Sequence, residues 1–241
     1  MIHMPELNVA VILSGTQKFP ERSVETIRFL ETLYDVKTFC HCWENTKQLT
    51  QYNSAIRYYE YEDNPAEPHM KKYRNIIYKL EKIDDHMAYF NDLWSQVKNG
   101  YVRNNSSYFS MYYSMKQADL LRRNYEIQNN MKFDCVVRMR FDSLIKEKFK
   151  LTSCNLKHIN VPIDYQYAFE KPEGSKPRGI NDQFAFGPSD HMTQYFNCFD
   201  NIISICNSGT YFCSHAILGQ HLLNCKVPVD RPNITVNIYN W

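Results

Sequence analysis

A chain of 241 residues can bury a substantial core, and 44% hydrophobic with 22% charged residues is the balance of an ordinary globular protein. A net charge of +2, with basic residues scattered rather than clustered, excludes the electrostatic footprint of a nucleic-acid binder. No apolar run approaches the roughly 18 residues of a membrane span, and MIHMPELNVAVILSG lacks the basic n-region and small-residue cleavage site of a signal peptide.

The first expected strand is Asn8–Leu13, ending in the turn Ser14–Thr16. A helix follows, with Pro20 near its first turn and Val24, Ile27, Leu30 and Tyr34 at helical spacing. Residues 36–43 (VKTFCHCW) read as a second strand. Residues 54–63 (SAIRYYEYED) read as a third, turning at Asn64 and Pro65. From Met70 to Val97 the apolar positions Met70, Tyr73, Ile77, Leu80, Ile83, Met87, Phe90, Trp94 and Val97 keep helical spacing, in one helix or in two broken near Asp84 and Asp85. A strong helix is expected over 107–128, with Met111, Met115, Ala118, Leu121 and Tyr125 as its buried stripe. A strand over 133–142 comes next, then strands over 161–169 and 182–187 on either side of a polar loop. A helix capped by Ser189 carries Met192, Phe196, Phe199, Ile203 and Cys206. A shorter helix over 214–224 and an edge strand in ITVNIY complete the chain. Strands alternating with helices predict a single α/β domain, a mostly parallel central sheet flanked by helices over residues 1–241. Tyrosine is abundant, which suits polar ligands such as sugars but also follows from an AT-rich genome. The eight cysteines include no CxxC pair, which argues for reduced, buried thiols and against a structural zinc site.

The stretch FDCVVRMRFDSLI (133–145) carries the chemistry. Period-two alternation puts Cys135, Val137, Met139 and Phe141 on one face and Asp134, Val136, Arg138, Arg140 and Asp142 on the other. Arg138, Arg140 and Asp142 would form a row about 13 Å long at a strand end. An ion-paired polar edge explains such a row. So does a ligand site, because guanidinium groups offer forked donors to phosphate and a carboxylate offers hard oxygens to a divalent cation. In open α/β sheets ligands bind beyond the carboxyl ends of the strands.

VVRMRFDSLI resembles the hydrophobic R-x-R-x-D segment of certain GT-A-type glycosyltransferases, nucleotide-sugar-dependent enzymes of bacterial surface-polysaccharide clusters and large DNA viruses. Four further pieces fit in the same order: the first strand with its SGT turn and Lys18, the second strand ending FCHCW, the helix SMYYSMKQADLL, and NDQFAFGPSDHM. The resemblance implies a GT-A-like fold and a cytoplasmic enzyme, of a bacterium or of the host cell if viral. Its reaction would move a hexose or pentose from a UDP- or GDP-sugar to a carbohydrate hydroxyl, with inversion and with assistance from Mn²⁺ or Mg²⁺. Ser14, Gly15 and Thr16 would present backbone groups to the nucleotide, with Lys18 near its phosphates or ribose. Arg138, Arg140 and Lys116 would neutralise the diphosphate, although Lys116 also reads as an exposed helix lysine. Asp142 would hold the metal, in the place of the last aspartate of a D-x-D motif. Arg140 stands where the first aspartate would be.

Asp182, after the polar loop, would take the proton from the acceptor hydroxyl, or else would order the loop. His215 and His221 read as late metal ligands or as core histidines, and His41 and Trp43 as contacts to base or sugar or as a packed strand end. The alternative in another class is a catalytically inactive nucleotide-sugar or glycan-binding domain. A nucleotidyltransferase lacks support because SGTQKF is short and poor in glycine, and no G-x-G-x-x-G suggests a dinucleotide enzyme.

Overall fold

The computed structural model describes residues 7–16, 20–53, 58–98, 107–145, 149–163, 179–234 and 236–238. Lys18, residues 164–169 of the strand expected over 161–169, and residues 170–178 of the polar loop lie outside the described residues, and residues 161–163 form no strand. The chain opens with β1 (Asn8–Gly15), α1 (Pro20–Glu31) and β2 (Asp35–Trp43). A hairpin of β3 (Asn45–Asn53) and β4 (Tyr58–Pro65) follows, then α2 (Glu67–Met70), β5 (Ile76–Glu81) and α3 (Asp84–Ser95). The long α4 (Ser107–Gln128) leads into β6 (Cys135–Met139), β7 (Ser143–Ile145), β8 (Ile159–Asn160) and β9 (Phe184–Gly187). Helices α5 (Ser189–Phe196), α6 (Ile202–Asn207) and α7 (Ser214–Asn224) precede β10 (Val229–Asp230) and β11 (Val236–Ile238).

Seven strands form one sheet in the order β10-β8-β9-β6-β1-β2-β5, flanked by helices. Its pairings are parallel except where β9 runs against β6 and β8. Alternation along β1 sends Ala10 and Ile12 to one face, where α4 covers them with Phe109, Tyr112, Met115 and Ala118. Val9, Val11 and Leu13 face the other side, under Val24, Ile27 and Leu30 of α1. Because both faces are covered, β1 reads as a continuous apolar run from Val9 to Leu13, and β6 does so except at Arg138. From β2 the chain steps outward to β5, then returns along α4 to β6 on the far side of β1. The strand order therefore reverses between β1 and β6, the kind of crevice where open α/β sheets bind ligands.

Two expectations need correction. The third parallel strand is β5, inside the stretch read as helical; residues 58–65 belong instead to the separate antiparallel hairpin. In NIIYKLE, Ile77 and Leu80 keep a helical spacing, while Ile76 and Leu80, four residues apart, satisfy a helical spacing and an alternating one together. The free edge of β2 decides the matter by pairing from Thr38–Ile76 to Trp43–Glu81. Ile77 then packs on the α4 side, while Ile76 and Leu80 pack on the α1 side.

The second correction concerns α4 and α5. The fully buried line of α4 runs through Tyr112, Met115, Ala118, Asp119 and Arg122, while Met111, Leu121 and Tyr125 are only partly buried. A charged side chain can sit there because its donors are met. The Arg122 guanidinium donates to Asp119 (2.8 Å), Glu126 (2.8 Å), Thr193 (2.7 Å) and Ser189. Ser189 is thus not a helix cap: its hydroxyl donates to Glu126 at 2.9 Å, and Pro188 occupies the cap position.

Candidate functional site

The carboxyl ends of β1, β2, β5 and β6 share an edge, where the α4-facing side chains Ser14, His41, Glu81 and Arg138 are polar and Trp43, at the end of β2, packs in the apolar cluster against Tyr113 of α4. Ser14, one residue before the end of β1, is nearly buried, with no hydrogen-bond partner for its hydroxyl among the described residues. Gly15 follows with φ of 101°, a backbone that glycine adopts without strain. Its N–H donates to the Ser114 hydroxyl of α4 at 2.9 Å, which fixes the start of the expected nucleotide turn. Thr16 is exposed beyond it.

His41, next to Ser14 across the β1–β2 pairing, is fully buried and makes no outward contact of the kind expected for a base or sugar. Its Nδ1 lies 2.8 Å from the Ser114 hydroxyl and its Nε2 lies 2.7 Å from Glu81. Burial pulls its pKa down to about 4 against the opposing pull of Glu81. Burial alone would raise Glu81, but hydrogen bonds from Lys79 and His41 hold it at about 2. Neutral His41 therefore donates Nε2–H to Glu81, while the single Ser114 hydroxyl proton is shared between His41 Nδ1 and the His41 carbonyl oxygen 3.0 Å away, so a chain of hydrogen bonds connects Glu81 to Gly15. The sign of its pH dependence follows. The unfolded chain takes up a proton at this histidine near pH 6.5, before the folded chain does. Stability should fall as pH drops from about 6.5 to about 4, by at most about 1.4 kcal/mol per unit. Urea denaturation across that window measures the slope, and His41→Asn should flatten it.

On the other side of β1, Arg138 is paired in register with Ile12 and Ala185 and is 1% exposed. Its Nη1 donates to the Met139 carbonyl, while its Nε has no partner. Among the described residues no carboxylate oxygen lies within the 4.0 Å of an ion pair. Burial lowers its pKa from the usual arginine value, opposed first by Tyr195 and then by Asp182; the group stays a guanidinium cation. A buried cation with no carboxylate at ion-pair distance is costly to hold.

The strand ends at Met139, and Arg140 and Asp142 lie in the turn beyond it. That turn is closed twice, by Ser143 N–H on the Arg140 carbonyl and by Arg140 N–H on the Ser143 hydroxyl, each at 3.2 Å. It brings the two side chains together: Arg140 Nε and Nη2 donate to the two oxygens of Asp142 at 2.8 and 2.7 Å. The expected row of three side chains thus divides into a buried cation and a bidentate ion pair. No group of three His, Cys, Asp or Glu side chains able to hold a metal ion occurs among the described residues. With both oxygens of Asp142 engaged by Arg140, the donor set as it stands does not fit Mn²⁺ or Mg²⁺.

Asp182 sits at the entry to β9, 5% exposed. The loop around it is ordered by its neighbour: the Asn181 side-chain oxygen accepts from the N–H groups of Gln183 (2.7 Å) and Phe184 (3.1 Å). The Asp182 carboxylate is left for other work. Its Oδ1 has no hydrogen-bond partner and lies 3.4 Å from His215 Nδ1, which bonds to the Ile180 carbonyl at 3.0 Å. Ser114, Asn181 and Tyr195 escaped the sequence reading; the signal for Asn181 was its place one residue before Asp182.

Lys116 is held elsewhere. It reaches both oxygens of Asp200, at 2.6 and 2.7 Å, above the Phe199 ring. His221 is a core histidine whose Nε2 bonds to the Gln194 carbonyl at 2.7 Å. All eight cysteines are free thiols, and six of them are buried. A concavity of about 190 Å³ lies at the amino ends of β1 and β2, lined by Asn8, Asp35, Asn75 and Phe133 among others. None of its lining residues leaves a buried polar side-chain atom unpaired, whereas Ser14, Arg138 and Asp182 each do.

In comparisons with known proteins, no protein-family model and no curated protein matches this chain. Fold and site together define an α/β protein with an unsatisfied, net-polar cluster at the carboxyl edge of a mostly parallel sheet.

Proposed function

We propose that the chain is a nucleotide-sugar-dependent glycosyltransferase of GT-A-like fold, moving a hexose or pentose from a UDP- or GDP-sugar to a carbohydrate hydroxyl with inversion. The observation that carries this reading is Arg138, a buried cation with no carboxylate within ion-pair distance among the described residues, at the point where the strand order reverses. The resemblance of VVRMRFDSLI and NDQFAFG to that enzyme class supports the same residues.

In this reading Ser14, Gly15 and Thr16 meet the nucleotide and Arg138 meets its diphosphate. Asp182 takes the proton from the acceptor hydroxyl as that oxygen bonds to the anomeric carbon. The bond from that carbon to the diphosphate oxygen breaks, and the nucleoside diphosphate leaves with its negative charge stabilised by guanidinium groups. The enzyme would work in the cytoplasm; among the described residues no helix is long and apolar enough to cross a membrane.

The test is a transfer assay with UDP- and GDP-sugars and oligosaccharide acceptors. Nucleoside diphosphate released in step with acceptor glycosylation supports the reading. Donor binding without release, whatever the acceptor, moves the chain to a non-catalytic binding domain.

A further inference from the structure

We propose that Arg140 takes the place of the divalent cation, so that Asp142 holds a guanidinium group rather than a metal and the site binds its diphosphate without Mn²⁺ or Mg²⁺. The diphosphate rests on the proposed function; the state of Asp142 does not.

Three observations carry the inference. First, Asp142 is 5% exposed and both of its oxygens accept from Arg140 in a bidentate pair, the geometry in which guanidinium and carboxylate bind most strongly. A metal ion at Asp142 would have to displace both bonds and then sit beside the cation it displaced. Second, the pair is built into the backbone. The turn from Arg140 to Ser143 is closed by two hydrogen bonds, which hold residues 140 and 142 at the separation the fork needs. Third, a second fixed cation, Arg138, stands two residues before Arg140, next to last in β6 and 1% exposed. Positive charge for a diphosphate is thus already present at the strand end. A cation of charge +2 would add repulsion without a second carboxylate to offset it.

The exchange of Arg140 for a carboxylate is then the change that would create a metal site. In Arg140→Asp two carboxylates would lie two residues apart in the same closed turn, with the competing guanidinium gone.

The experiment has two arms. In the first, Mn²⁺ alone is added to the wild-type protein and free Mn²⁺ is followed by its electron paramagnetic resonance signal. The wild type should leave the signal unchanged, and Arg140→Asp should deplete it. Depletion by the wild type that Asp142→Asn abolishes would overturn the proposal, and this result needs no folded Arg140 variant. In the second arm, UDP and GDP are titrated calorimetrically in EDTA and in Mn²⁺. Wild-type affinity should agree within about twofold between the two conditions, while Arg140→Asp should bind at least about tenfold more weakly in EDTA and recover in Mn²⁺. Wild-type binding that appears only with Mn²⁺ would also overturn the proposal. If neither nucleotide binds under either condition, the nucleotide-sugar reading fails, and the Mn²⁺ arm still decides what Asp142 holds.

Discussion

Asp182→Asn is expected to leave nucleotide-sugar binding unchanged and to lower sugar transfer by about 100- to 10,000-fold. Asparagine keeps the size of the side chain and loses the basic oxygen that would accept the acceptor proton in the proposed reaction. The environment isolates that effect. The loop turn depends on the Asn181 side chain rather than on Asp182, whose Oδ1 lies 3.4 Å from His215 and accepts no backbone hydrogen bond among the described residues. The fold should therefore survive. A base that acts on the acceptor should depress kcat for transfer and spare the donor Kd, as read by initial rates and by calorimetry on the same preparation. Full activity in the variant would remove Asp182 from the chemistry, and loss of donor affinity equal to the loss of rate would place it in the donor site instead.

Arg138→Met is expected to weaken donor binding while raising thermal stability, two effects in opposite directions. Truncating one partner of a buried charged contact costs about 2–5 kcal/mol, or about 30-fold to several thousandfold in Kd. In the unliganded protein the same guanidinium is buried, with no carboxylate within ion-pair distance among the described residues. Replacing a buried charge by a methionine of similar length should then stabilise the fold by about 1 kcal/mol or more. A residue kept for structure alone would lower the melting temperature on substitution and would leave affinity to follow the folded fraction. Calorimetry and differential scanning of the same variant distinguish the two cases. The contrast with Arg122 is instructive. That arginine is equally buried but meets Asp119, Glu126, Ser189 and Thr193, and it serves to join α4 to α5.

Much of this architecture is legible in the sequence because apolar patterning follows from burial. β1, β2, α4, β9 and α7 announce themselves by continuous or helical apolar runs, and Pro20 marks the start of α1. The edge strand β5 does not, because a half-buried strand and a half-buried helix give one pattern over six residues, and only the exposed edge of β2 selects between them. Arg122 was similarly invisible, since its place in the core depends on partners on α5 that lie far along the chain. For the site, Arg138, Asp142 and Asp182 stood out as charges at strand ends. What alternation alone could not give was their pairing. The turn after Met139 folds Arg140 onto Asp142, whereas an extended strand would have aligned all three charges toward a ligand.

The central claim is that the carboxyl edge at β1 and β6 receives a nucleotide sugar. Its most direct test is amide hydrogen exchange of the wild-type protein with and without a UDP- or GDP-sugar. Protection of residues 12–16, 138–143 and 180–184, lost in Arg138→Met, is the predicted result. Protection confined to the opposite end of the sheet, around Asn8, Asp35 and Asn75, or no protection with any such donor, would contradict it.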